Sequence, residues 1–553
     1  MGMTPRLWIG LAVLWGAAVC LLVLGLGNLP LRDWDEALVA RVSLELSRQP
    51  WGEPPLPTYL GQPYLNKPPG LHGLIAAVIR LWRLVSTASP TALPPEWIVR
   101  LMPALGASLI VPLLGLVQAR LRPGKTSSAL ATALIPLTLL PLMRHGRMAM
   151  LDGTQLSAMA LIWWGLLSTG PRRVQALAGG WVAGLGASGL LLLKAPVALP
   201  VLAVAVLLRW LDRALDRRGW WLVLAGLLLG LLPGMAWHGW HGLERGSLAL
   251  VMWGSQGLAR VTETLDNHAG GPVVPLIQVL TGGWPWLPLW PFGLALAWKD
   301  RREAAGRWVI GLSLMTALLV FPLRTQLPWY SLLLWPPFAL ACGPVLASLG
   351  QKGNGQRVPT RSIGRLWLGL GLLLLIAAAV SLAPFGQDLA PYRLLVLPAG
   401  IGLVGAGWLL MPPNHPRPRG NLAVAVLALG WYGSLLVLFS GPLWNWELNE
   451  QPSITPAVAL ARQPVASSGG THALPSTTPI TTDAESSRPS LLWYLNADLP
   501  PIDGATDPDE LPVSLVVISR APTFFAPKGF DCQQVGAAAG IDQEWKQWRC
   551  ERP

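Results

Sequence analysis

The chain has 553 residues, of which 52% are hydrophobic and only 12% charged, with a mean hydropathy of +0.45 and a formal net charge of +13. A soluble chain of this length would have about a quarter of its residues charged, so an ordinary set of globular domains is excluded. Nor does the positive charge point to nucleic acid, because Lys and Arg are scattered through short loops and form no basic patch.

The apolar residues recur in runs of roughly 16–24, long enough to cross a bilayer as helices. In chain order these lie near 7–27, 98–119, 126–143, 154–169, 174–192, 195–210 and 219–238, then near 273–298, 308–322, 329–349, 366–383, 391–411 and 421–440. That predicts an all-α polytopic membrane protein with about thirteen spans. No small-residue cleavage site follows the first run, so it is expected to remain as an anchor. The run 70–85 is shorter, follows Pro68-Pro69 and carries His72, Arg80 and Arg83. It is expected to lie along the interface rather than cross.

With that assignment the basic clusters Arg120/Arg122/Lys125, Arg172/Arg173, Arg213/Arg217/Arg218, Lys299/Arg301/Arg302, Arg357/Arg361/Arg365 and Arg417/Arg419 all fall on the cytoplasmic side with Met1. The other face receives the loop 28–97, the turn 144–153, the loop 239–272, the turn 323–328 and the tail 441–553. The expected organisation is a transmembrane domain over 1–440, a linker over 441–490 and a small extracytoplasmic α/β domain over 491–553. Leu491–Leu495 and Pro512–Ser519 have strand-like character. Cys20 and Cys342 lie in apolar spans, whereas Cys532 and Cys550 share the tail and can pair in an oxidising compartment.

Ionisable groups at a membrane face are costly and tend to line a bundle interior or an aqueous cavity. The first outer loop opens with Arg32-Asp33-Trp34-Asp35-Glu36 and continues to Tyr64-Leu65-Asn66-Lys67-Pro68-Pro69. Carboxylates there can deprotonate an acceptor hydroxyl or hold a cation, and a lysine can neutralise a phosphate. The plainer reading is that Asp35 and Glu36 favour the start of a helix over 35–48. Arg144, His145, Arg147 and Asp152 occupy the next outer turn, and Lys194-Ala195-Pro196 separates two spans. Arg260, Asp266 and His268 lie in the third outer loop, and Arg324, Gln326 and Tyr330 in the fourth. Such a set suits an anionic, membrane-embedded substrate; taken singly, each Arg is more simply a snorkelling side chain. Gly184-x-Gly186-x-x-Gly189 lies inside an apolar span and reads as helix packing, not a dinucleotide loop. His238 and His241 have no nearby partners to complete a metal site.

At these positions the chain resembles the C-type (GT-C) glycosyltransferases of the protein O-mannosyltransferase superfamily, and within it the bacterial undecaprenyl-phosphate aminoarabinose lipid A transferases. The likeness runs in order through Asp35-Glu36, Gly61-Gln62-Pro63-Tyr64-Leu65-Asn66-Lys67-Pro68-Pro69, Arg100-Leu101-Met102-Pro103, Arg147-Met148-Ala149-Met150-Leu151-Asp152, Lys194-Ala195-Pro196 and Leu327-Pro328-Trp329-Tyr330. It implies transfer of a sugar from a polyprenyl-phosphate carrier to a lipid, glycan or protein on the extracytoplasmic side of the plasma membrane. Asp35 would be the catalytic base with Glu36 beside it. Tyr64, Lys67, Arg100, Arg147, Lys194, Arg260 and Tyr330 would bind donor and acceptor, and Asp152, with His268, would mark a divalent metal site.

The chain departs from the family where Asn66 replaces a frequent Glu and where Ser255 and Gln256 stand near the position of a frequent His. Neutral amides are weak ligands beside carboxylate and imidazole, so tightly held zinc is not expected. Two other classes fit the same composition: a transporter or flippase of a lipid-linked sugar, and an inactive relative. A transporter would be expected to show broken midplane helices in repeated halves, whereas here the polar residues gather on one face.

Overall fold

The structure is a computed structural model. It describes the chain apart from residues 1–3, 51, 90, 255–258, 264–270, 350–358, 413–416, 445–453, 463–465, 468–469, 472–477, 498, 504, 521–523, 525 and 541–543. Two compact units result: Met1–Asn28, Leu65–Leu71 and Arg100–Trp444 form one, and Leu29–Tyr64, His72–Val99 and Asn445–Pro553 form the other.

The first unit is helical. Among the described residues eight helices are long and apolar enough to cross a membrane, or nine if Thr126–Thr138 and Leu140–Gly146 count as one broken span. A chain with this many spanning segments is membrane-integral. The segment expected as one span over 126–143 is bent by 62° between those two helices, because Pro136 and Pro141 remove backbone donors there. The run 273–298 is likewise divided, into Val273–Gly282 and Trp290–Lys299, since Gly282-Gly283-Trp284-Pro285 cannot sustain a helix. By contrast, the helix expected to end at 238 runs from Arg217 to Arg245. His241 stacks on Trp237 one turn away, with ring centroids 4.6 Å apart, a pairing that helical spacing allows.

Small residues set the closest helix contacts. Gly180 and Gly184 of Arg173–Leu211 lie against Val223, Leu227 and Gly230 of Arg217–Arg245, and Gly186 lies against Ala158 and Ile162. The G-x-G-x-x-G spelling is therefore a packing seam. His238 is accounted for as well, its Nε2 lying 3.0 Å from the Leu191 carbonyl.

In the second unit, helix Asp35–Arg48 and a hairpin pairing Thr58–Tyr59 with Gln62–Pro63 are followed by helix Gly70–Val85 from His72 onward. The C-terminal residues form a four-stranded sheet in the order Ile480–Thr482, Ser514–Ser519, Glu544–Glu551, Asp531–Ala539, whose first pair is parallel and the others antiparallel. Leu491–Leu495, expected to be strand-like, instead falls on helix Pro489–Tyr494 and the turn after it. Pro489 presets the first helical turn, and Leu491, Leu492 and Leu495 bury themselves in a core with Leu460, Val516, Ile518 and Trp545. Cys532 and Cys550 form a disulfide between neighbouring strands.

Candidate functional site

In the first unit, three helical segments and one helix break bring Asp152, Lys194, Arg260 and Tyr330 together. Asp152 sits in the first turn of Leu151–Ser168. Lys194 interrupts Arg173–Leu211 with φ −149° and ψ 77°. Pro196 causes the interruption, because it has no N–H for the Leu192 carbonyl. That carbonyl faces Gly70, where a Cβ would come within 2.5 Å of it. The segment Lys67-Pro68-Pro69-Gly70 thereby packs two residues from Lys194 along the chain, with Lys67 half-buried.

Lys194 donates to Asp152 Oδ1 at 3.2 Å, and Gln155 Nε2 donates to the same oxygen at 3.2 Å. The ammonium lies 4.9 Å from the Tyr330 ring centroid, and the Arg260 guanidinium lies 5.9 Å from the same ring. One aromatic ring thus gathers two cations, an attraction that strengthens where water is excluded. Arg260 belongs to the short helix Ala259–Thr262, whose place is fixed by the amides of Arg324 and Thr325 donating to its carbonyl at 3.1 and 3.3 Å. Its Nε and Nη1 are buried without a hydrogen-bond partner among the described residues, as suits a cation arranged for an anion.

Arg100 and Arg147 are buried elsewhere in this unit. Arg100 donates to the Leu26 carbonyl at 2.8 Å and lies over the Trp444 ring. Arg147 donates to the Leu24 carbonyl and lies 4.5 Å from both the Phe439 and Trp444 rings. Both cations thus hold the carbonyl-bearing end of the first helix, where positive charge is favourable, against the end of the last.

The second unit holds Asp35, Glu36 and Tyr64 of the first loop. Asp35 begins its helix half-buried. Glu36 is fully buried and accepts from the Arg32 amide at 3.0 Å, a bond to the chain just before the helix. Tyr64 is buried edge-on to His72 at 5.7 Å. Burial first, and then Asp35 and Tyr59, push its phenol well above the ordinary tyrosine range, so it stays a neutral donor.

Two arrangements in this unit join residues that the sequence spacing does not connect. Glu45 accepts from Arg41 Nε and Leu60 N at 2.7 Å through one oxygen, and from Thr58 Oγ1 at 2.7 Å and Gly61 N at 3.2 Å through the other. The turn it grips has positive φ at both Leu60 and Gly61, as a two-residue hairpin of this hand requires. The i, i+4 spacing of Arg41 and Glu45 was visible, but not the hairpin they hold. Asp33, the second arrangement, accepts from Ser490 Oγ at 3.0 Å and pairs with Arg488 at 3.6 Å. Both contacts tie the first loop to the C-terminal residues.

No group of three or more His, Cys, Asp or Glu able to hold a metal occurs among the described residues. Asp152 already faces an ammonium, which would repel a divalent ion, so these residues do not fit such a site. His268, Asp266, Ser255 and Gln256 lie outside the described residues.

No protein-family model matches the chain. It is 33% identical over 230 residues to the undecaprenyl phosphate-alpha-4-amino-4-deoxy-L-arabinose arabinosyl transferase of Pseudomonas aeruginosa (strain UCBPP-PA14), a match covering 40% of each protein. Over 119 residues it is 36% identical to the second such transferase of Sodalis glossinidius (strain morsitans), covering 21% of this chain and 20% of the relative. Each match thus spans well under two thirds of its relative. In three dimensions the chain matches ArnT from Cupriavidus metallidurans bound to undecaprenyl phosphate, with TM-score 0.69, 17% identity and 98% of both chains covered. The chain therefore shares the fold of that ArnT.

Proposed function

We propose that this protein transfers a sugar from a polyprenyl-phosphate carrier to an acceptor hydroxyl or phosphate of a lipid, glycan or protein. The observation that carries the reading is the gathering of Lys194 and Arg260 on the Tyr330 ring, in a chain whose fold matches ArnT bound to undecaprenyl phosphate.

In the reaction the acceptor oxygen forms a bond to the anomeric carbon, while the bond from that carbon to the carrier phosphate oxygen breaks. The phosphate leaves with the electron pair. Lys194 and Arg260 stabilise the charge that grows on it, with Lys67 as a third cation. Asp35 takes the acceptor proton, while Glu36, held by the Arg32 amide, orients the start of the Asp35 helix. Tyr64 and Tyr330 position the donor head group. Asp152 and Gln155 hold the Lys194 ammonium in place, while Arg100 and Arg147 brace the end of the first helix. We assign thirteen crossings with Met1 cytoplasmic, the 70–85 helix along the interface, and the sheet-bearing C-terminus on the extracytoplasmic side of the plasma membrane.

The test is transfer from a labelled polyprenyl-phosphate sugar to envelope lipids and glycans by the purified protein in liposomes. Asp35→Asn should abolish turnover while inserting normally, because an amide cannot take the proton. Lys194→Ala and Arg260→Ala should each cost about 10- to 150-fold in kcat/KM, the worth of a charged hydrogen bond. Wild-type protein that moves the labelled lipid across the bilayer without breaking the sugar–phosphate bond would replace this reading with a flippase.

A further inference from the structure

At the end of the first unit where the first helix begins, an apolar groove of about 390 Å³ runs between four helices. Gly10 and Leu14 line it from Pro5–Val23, Leu130 and Leu134 from Thr126–Thr138, Leu346 from Trp335–Leu349 and Val424 from Arg417–Ser440. Its polar lining is confined to Ser127 and Asn421, both within the first turns of their helices. From the level of Arg6 to that of Leu14 the helix rises about 12 Å, comparable to the roughly 15 Å hydrocarbon depth of one leaflet.

Exposed cations lie close in sequence to the lining residues of three of these helices. Arg6 lies one turn before Gly10 on the same face, Lys125 two residues before Ser127, and Arg419 two residues before Asn421. Polar groups at the rim, apolar walls below and positive charge around them match the order of groups in one molecule: an anionic phospholipid standing in its own leaflet. Basic pockets between membrane helices take such head groups, whereas a zwitterionic lipid gains nothing net from three cations.

We propose that this groove is a site for an anionic phospholipid of the bilayer, its acyl chain along Leu14, Leu130, Leu134 and Val424 and its phosphate among Arg6, Lys125 and Arg419. None of these residues takes part in the transfer assigned above.

Native mass spectrometry of the purified full chain in detergent, titrated with phosphatidylglycerol or phosphatidylcholine, tests the proposal. Selective retention of one phosphatidylglycerol is expected. Replacing any one of the three cations by Gln should weaken retention about fivefold, and replacing all three about a hundredfold. Ala347→Phe, which fills the groove without touching a charge, should abolish retention; if that variant does not fold, the exposed charge variants still decide. Equal retention of both lipids, retention unchanged in the triple variant, or a dimer whose formation excludes lipid would each overturn the proposal.

Discussion

Replacing Glu45 should loosen the first loop far beyond the site of change. Its carboxylate is 9% exposed and the Arg41 guanidinium only 3%, so both are largely desolvated. Glu45→Ala removes the acceptor for Arg41, Thr58, Leu60 and Gly61 together. Breaking one buried ion pair costs about 3–5 kcal/mol, which exceeds what the paired strands Thr58–Tyr59 and Gln62–Pro63 can supply alone. Glu45→Gln keeps the shape and one acceptor oxygen but turns an NH2 toward two former donors. Thr58 can rotate to accept, whereas the Gly61 amide cannot, so a loss of about 1.5–3 kcal/mol is expected, the worth of a charged hydrogen bond. Because cleavage of a transiently open segment follows its opening free energy when reclosing is fast, limited proteolysis at residues 58–63 reads the change directly. Parent, Gln and Ala forms should be cleaved at rising rates, with transfer falling in the same order as Tyr64 loses its support. Equal cleavage of parent and Ala forms would show that other contacts hold the hairpin and that Glu45 is incidental.

Gly70→Ala would place a Cβ within 2.5 Å of the Leu192 backbone oxygen, so the segment bearing Lys67 must shift; transfer should fall at least tenfold with membrane insertion unchanged, measured in liposomes. Asp212 accepts from Arg307 Nη2 at 2.7 Å and Trp308 Nε1 at 2.9 Å and is 4% exposed. Asp212→Ala should therefore destabilise the helical unit by about 3–5 kcal/mol, seen as a lower unfolding temperature in detergent. Burial, reinforced by Glu45 and Asp33 against the opposing effect of Arg41, raises the Tyr59 phenol to about 12. Its folded value lies above the unfolded one, so the stability it contributes is complete below pH 10 and is lost as pH rises towards 12. The unfolding temperature should fall less steeply across that window in Tyr59→Phe than in the parent.

The sequence by itself determined that the chain is built from membrane helices, because apolar runs long enough to cross have no other way to satisfy their backbone in lipid. It also marked Asp35, Lys67, Asp152, Lys194, Arg260 and Tyr330, since charge and aromatic groups are scarce among so many apolar residues. Tertiary structure alone decided which of these meet. Lys194 reaches Asp152 and Tyr330 because Pro196 opens the helix, and a proline's effect on direction depends on what packs around it. Arg100 and Arg147 carry the same charge as Lys194, yet they are held by carbonyls at the end of the first helix and by Trp444. Nothing local distinguishes an arginine aimed at a substrate from one that closes a helix end. In the second unit the helix over 35–48 and the Cys532–Cys550 pair were legible, but the distant joins were not: Asp33 meets Ser490 across 457 residues, and Leu491 and Leu492 lie on a helix whose side chains share a core with Val516 and Trp545. Pairings that distant are fixed by the shape of the buried core, and a window of neighbouring residues carries no trace of that shape.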